Sequence, residues 1–198
     1  PIRGLSMWAS QSGDEEALEL AGKFARFAMK SRFWGHPNNP RLVAGREQGH
    51  VDSHFHARAE ALRGILEYGI VAGDMRACDF VRSSYEQIRT WGINRIGFIP
   101  TFVNGERLCM EGCFLGDLVA MTVRMSEAGL ADYWDDADRV IRNHLVEAQF
   151  TDKTLLERIV ENMPHNPPEQ PTGKQQKASG EIILSQMRNV ELDAGPVV

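Results

Sequence analysis

The feature that most constrains this chain is a repeated punctuation of helical periodicity by glycine and an acidic cap. Apolar residues recur at three- and four-residue spacing over residues 53–72, with Phe55, Ala59, Leu62, Leu66 and Ile70 in one stripe. That stripe stops at Ala72-Gly73, and Asp74 opens a returning segment, 74–91, with Cys78, Val81, Tyr85 and Ile88 on its apolar face. The pattern recurs: residues 111–128 carry Leu115, Leu118, Val119, Thr122 and Met125, end at Ala128-Gly129, and are followed by Asp132 at the head of 132–149. That last stripe holds Trp134, Ala137, Ile141, His144 and Leu145. An earlier helix is expected over 14–33, with Ser12 and Glu15 as its capping box, and a shorter one over 152–163. Each unit is a helix, a tight glycine turn, an acidic N-cap and a returning helix. Such αα-hairpins bury their faces only by stacking side by side, in a solenoid or a closed toroid. The fold class read from the pattern is therefore all-α, built of stacked αα-hairpins over residues 1–163.

Residues 164–180 are rich in Pro, Gln, Lys and Gly and read as a linker; with 181–198 they form a C-terminal tail. Between the third and fourth expected helices, 93–107 reads as a long loop, punctuated by Gly97, Pro100, Asn104 and Gly105. A net charge of −5 argues against a nucleic-acid partner, which would call for a basic face. No apolar run reaches the ~18 residues of a membrane span. Three widely spaced cysteines fit free thiols or metal ligands better than a disulfide framework. No signal peptide opens the chain at Pro1. A cytoplasmic location is weakly favoured, with the bacterial periplasm or exterior the alternative if a signal lies upstream.

Two polar clusters occupy equivalent places. His50, Asp52, His54 and His56 precede and open one helix; Cys109, Glu111 and Cys113 open another. Stacked in register, the two helices are parallel neighbours, and both clusters lie at one end. Helix N-termini carry partial positive charge, which lowers a cysteine's pKa. Zinc takes thiolate, imidazole and carboxylate ligands. Glu111 and Cys113 are two apart, about 200° around a helix at ~100° per residue, so sharing a metal requires the chain to be still extended at this point. Cys109 and Cys113, four apart, suit one helical face instead. Cys78, mid-stripe, reads as a core residue. His144 reads as a hydrogen-bonded core histidine, and Trp34, Trp91 and Trp134 as packing residues, with Trp34 beside Gly35 and His36 also a candidate sugar platform. The acidic run 132–138 reads as a helix start with a solvated face.

With those residues in view, the stretch from His50 to Gln149 resembles the β-L-arabinofuranosidase family of glycoside hydrolases, which are (α/α)6 toroids of six hairpins. The likeness lies in Gly49-His50, His54-Phe55-His56, residues 62–68, Ala72-Gly73-Asp74, residues 92–98, Glu111-Gly112-Cys113, residues 132–136 and residues 142–147. It implies a zinc-dependent retaining glycosidase acting on a plant-type glycan. In the family, zinc is held by a Glu-x-Cys pair and two later adjacent cysteines, one of them the nucleophile. Glu111 and Cys113 match the metal pair. His54, His56 and Glu111 are the catalytic candidates, Glu106 a candidate for the acid, and His50, Trp34 and Asn104 the substrate-binding candidates. No adjacent cysteine pair follows Cys113. The chain is therefore expected to be incomplete as an isolated enzyme, part of a toroid rather than the whole. The alternatives are a non-catalytic helical scaffold, self-associating through open hairpin faces, and a toroid sugar epimerase or lyase using the histidines as acid and base.

Overall fold

Glycine turns and aspartate caps set the helix boundaries of the structure, a computed structural model that describes residues 1–30, 33–34, 54–102, 110–149 and 151–162. In chain order the helices are α1 (Ile2–Ser12), α2 (Glu15–Ala28), α3 (Phe55–Ala72), α4 (Met75–Arg89), α5 (Gly112–Glu127), α6 (Trp134–Val140) and α7 (Lys153–Glu161). A single π-helical turn, Ile141–Leu145, follows α6 directly. Among the described residues there is no strand, only two isolated bridges, His54 with Phe102 and Ile93 with Phe98. No helix among them is long and apolar enough to cross a membrane. The chain divides into two units, Pro1–Glu147 and Ala148–Val198. Within the second, α7 is capped by Asp152, which accepts from the Thr154 backbone amide at 2.9 Å. The expected tail 164–198 lies outside the described residues.

The all-α expectation holds, and the third and fourth expected helices appear as α4 and α5 within two residues of their expected ends. Gly73 ends α3 in the left-handed region, at φ 66°, and Asp74 caps α4 by accepting from the amides of Arg76 and Ala77. The first expected helix, 14–33, appears as α2, and a helix that was not expected, α1, precedes it. Gly13, at φ 75°, closes α1, and its amide donates to the Ala9 carbonyl. Asp14, not Ser12, caps α2 through the Ala17 amide at 2.9 Å, while the Ser12 hydroxyl turns back to the Trp8 carbonyl. The capping-box expectation is therefore corrected: the Ser12 hydroxyl accepts from the Asp14 amide, at 3.2 Å, and the Ala17 amide inside α2 is served by the Asp14 carboxylate instead.

α3 is the central element, packing against α1, α2, α4 and α5. That is why Gly64, Ile65, Tyr68 and Gly69 are buried along with the expected stripe of Phe55, Ala59, Leu62 and Leu66. A helix covered on several faces needs small residues where neighbours come closest. A Cβ on Gly69 would sit 2.8 Å from the Cys78 Sγ of α4. Cys78 itself is buried, the core role expected of it. Phe55 of α3 stacks on Phe114 of α5, ring centroids 5.7 Å apart, with both rings fully buried. Each such ring contributes about 2–3 kcal/mol by its burial.

The last expected helix of the first unit, 132–149, is shorter. α6 stops at Val140 and the chain widens into the π turn. There His144 Nε2 and Asn143 Nδ2 both reach the Ile96 carbonyl, at 2.9 and 3.0 Å, and hold the 93–98 turn. His144 is thus hydrogen-bonded but only half-buried, and burial lowers its pKa. Asp136 is not a solvated acid. It accepts from the buried Tyr85 hydroxyl at 3.0 Å and pairs with Arg89 at 3.3 Å, while Tyr133 donates to Glu86. Burial pushes both phenols well above their usual range. Trp91 and Trp134 are half exposed, so neither has the packing role expected of it.

Candidate functional site at the starts of α3 and α5

Both polar clusters stand where extended chain turns into helix. His54 is the last extended residue before α3, at φ −92° and ψ 113°, and Glu111 holds the same place before α5, at φ −89° and ψ 137°. Neither side chain caps its own helix, so each is released to face the other. The start of α3 is held by the 101–102 segment and by α5. The Phe55 amide donates to the Thr101 carbonyl at 3.0 Å, the His54 ring stacks on Phe102 at 5.1 Å, and Phe55 lies against Phe114 beneath.

α3 and α5 run parallel, as a ladder of polar contacts between them shows. His56 and Arg63 of α3 meet Asp117 of α5. Farther along both helices, Glu67 meets Arg124, whose Nη2 and Nε donate at 2.9 and 3.2 Å. Contacts that advance in the same sense on both helices require parallel axes. For the members of the two clusters among the described residues, the expected convergence holds. His54 Nε2 lies 2.5 Å from Glu111 Oε2, and Cys113 Sγ lies 3.8 Å from the same oxygen.

The second pair is deeper. His56 Nδ1 is 2.7 Å from Asp117 Oδ2, and Arg63 Nη1 donates to Oδ1 at 2.6 Å. The Asp117 side chain is 4% exposed, against 25% each for His56 and Arg63. A carboxylate so buried must have both oxygens satisfied, and here each has a partner. The His54 and His56 rings meet edge-on at 5.8 Å, which makes one continuous polar surface from Cys113 to Arg63.

The chain is extended at Glu111 and helical from Gly112, the arrangement that lets a carboxylate and a thiol two residues apart face one point. Their 3.8 Å separation is close to the roughly 3.5 Å edge of a zinc tetrahedron built from ~2.0 Å oxygen and ~2.3 Å sulfur bonds. The pair therefore fits as two ligands of one ion. Among the described residues, no three His, Cys, Asp or Glu groups are arranged to hold a metal. The helix start does not acidify Cys113. Crowding around Sγ and the adjacent Glu111 charge push the thiol up, outweighing the backbone amides of Phe114 and Cys113.

Of the other sequence candidates, His50, Asn104, Glu106 and Cys109 lie outside the described residues. Trp34 is 3% exposed, edge-on to Phe80, with its Nε1 donating to the Ala28 carbonyl at 2.7 Å. An indole so enclosed has no open face for a sugar and is a packing residue. Asp117 and Arg63 were not singled out from the sequence, though a signal was there. Asp117 interrupts the apolar stripe of α5 between Phe114 and Met121, and His56, Arg63 and Glu67 recur on one face of α3. Compared with protein-family models, with curated proteins and with solved structures, the chain matches none.

Proposed function

We propose that this chain carries part of the site of a zinc-dependent retaining glycoside hydrolase acting on a plant-type glycan, within a toroid of helical hairpins. The observation that carries the reading is the single oxygen, Glu111 Oε2, faced by both Cys113 Sγ and His54 Nε2. Glu111 and Cys113 would be the metal ligands. Bound there, zinc would supply a Lewis acid and hold thiolates deprotonated. His54 orients the Glu111 carboxylate through its ring nitrogen, in the way imidazole–carboxylate pairs fix ligand geometry around metals. His56 faces the sugar and exchanges hydrogen bonds with its hydroxyls. The 198 residues hold no adjacent cysteine pair after Cys113, so the reading assigns them metal and sugar binding and assigns the nucleophile elsewhere.

Among the described residues, Glu111 is paired with the His54 ring and Asp117 with His56 and Arg63, a set of hydrogen-bonding groups that suits a polyol. The test is zinc stoichiometry by elemental analysis after dialysis against trace metal, on the parent chain and on Cys113→Ser and Glu111→Gln. Both variants are expected to lose bound zinc, while circular dichroism stays at the parent value. Parent-level zinc in both variants would end the metal reading. A chain that is free of zinc and oligomeric by size exclusion would favour the scaffold alternative. The observation in favour of that alternative is the exposed apolar row Leu20, Phe24 and Phe27 on α2.

A further inference from the structure

Beneath the thiol and glutamate, His56 is held in a way that fixes its chemistry. Asp117 lies within the apolar stripe of α5, flanked by the fully buried Phe114 and Met121. Its Oδ1 is engaged by Arg63, which leaves Oδ2 turned to His56 Nδ1 at 2.7 Å. A carboxylate in an ion pair with a guanidinium is an acceptor only. The proton in the His56–Asp117 bond must then come from the imidazole, so Nδ1 carries it. In the neutral ring, Nε2 is left with its lone pair. Among the described residues Nε2 makes no hydrogen bond, and the His56 side chain is 25% exposed. His54 differs, because its Nε2 is committed to Glu111.

We propose that Asp117, braced by Arg63, is a positioning residue that locks His56 in its Nδ1–H tautomer, so that Nε2 stands at the site mouth as a proton acceptor for a ligand hydroxyl. Among the described residues, the groups around the ring are Asp117 of α5, Arg63 of α3 and the neighbouring His54 with its Glu111 partner. None of them offers a hydrogen-bond acceptor to Nε2. The tautomer follows from the contacts alone. That the partner is a sugar hydroxyl rests on the glycan reading above.

The measurement is long-range proton–nitrogen correlation NMR of the histidine rings in the full 198-residue chain, at mildly alkaline pH, with the His56 signal identified by His56→Gln. In the parent, Nδ1 is expected to be protonated and Nε2 bare. In Asp117→Asn, the amide oxygen stays with Arg63 and the amide nitrogen faces Nδ1. That nitrogen is a donor, so Nδ1 must accept and the proton moves to Nε2. Inversion of the tautomer is the expected result, of the kind known to disable carboxylate–histidine pairs. A merely structural aspartate would leave the tautomer unchanged. A parent spectrum with protonated Nε2 overturns the proposal, and so does an Asp117→Asn spectrum like the parent's. If Asp117→Asn fails to fold, the parent spectrum alone still decides. Titration with L-arabinose as a pentose probe is expected to shift the parent Nε2 resonance, with about tenfold weaker binding in Asp117→Asn. An unmoved resonance would remove the hydroxyl as partner. None of these readouts involves metal, so the zinc reading and the tautomer lock fail separately.

Discussion

Orphaning the buried carboxylate should cost more than neutralising it. Arg63→Met removes the guanidinium but keeps most of the side chain's apolar length, leaving Asp117 Oδ1 without its donor in a side chain 4% exposed. Breaking a buried ion pair from one side costs about 3–5 kcal/mol. His56 still serves Oδ2, so the low end applies, at about 3 kcal/mol. Asp117→Asn keeps the shape and an oxygen for Arg63, and Arg63, 25% exposed, can also turn to water. Only the charged part of two hydrogen bonds is lost, about 1 kcal/mol. The difference of about 2 kcal/mol is well above the scatter of urea unfolding followed by circular dichroism at matched m-values. Scaled to a body of this size, Arg63→Met should lower Tm by about 6–12 °C and Asp117→Asn by about 2–4 °C. Replacing both by apolar residues, Arg63→Met with Asp117→Leu, should recover to within about 1 kcal/mol of the parent, because no charge is left buried. An Asp117→Asn variant as damaged as Arg63→Met, or an Arg63→Met change below about 0.5 kcal/mol, would mean that the carboxylate is not held as described.

Two further outcomes test the packing and the thiol. Gly69→Ala gains about 1 kcal/mol of helix propensity, but places a Cβ 2.8 Å from Cys78 Sγ and 3.1 Å from the Cys78 amide nitrogen. Overpacking should win, for a net loss of about 1–2 kcal/mol, partly restored by adding Cys78→Ala; a gain in Tm would disprove the close approach. In metal-free protein the Cys113 thiol is raised by burial and then by Glu111, so at fixed mildly alkaline pH only a small fraction is thiolate. Glu111→Gln removes the second cause, lowers the pKa toward its ordinary value and should speed iodoacetamide labelling of Cys113, read by peptide mass spectrometry; equal or slower labelling would contradict that origin of the shift.

The parts of the fold legible in the sequence were those where local chemistry and tertiary packing agree. Gly73 with Asp74 is both a left-handed stop and a side-chain cap, and α4 begins where that pair requires. α1 was missed because its helical signal is short and ends only one residue before the next cap, so Gly13 and Asp14 read as the entry to one helix rather than the gap between two. The tryptophans misled for a different reason. Periodicity reports which residues share a face, not whether a neighbour covers that face, and Trp134 stays half exposed. At the site, His54, His56, Glu111 and Cys113 announced themselves as unusual residues at helix starts. Asp117 did not, since a single acid in an apolar stripe reads as an ordinary polar interruption until the partner helix is in place.

That partner helix is what makes the site possible. The same parallel pairing that brings His56 to Asp117 brings Glu67 to Arg124 farther along, so the register of α3 on α5 is fixed by polar contacts as well as by the Phe55–Phe114 stack. Apolar stripes tolerate sliding by a turn, whereas a buried carboxylate matched to one guanidinium and one imidazole does not. Parallel helices also place two N-terminal dipole ends side by side, and Glu111, at the N-cap of α5, supplies the negative charge that such an end favours. The acids at this mouth therefore serve the fold whether or not a ligand is bound. Only the directions of their free partners, Cys113 Sγ toward Glu111 and His56 Nε2 outward, go beyond what helix stability demands.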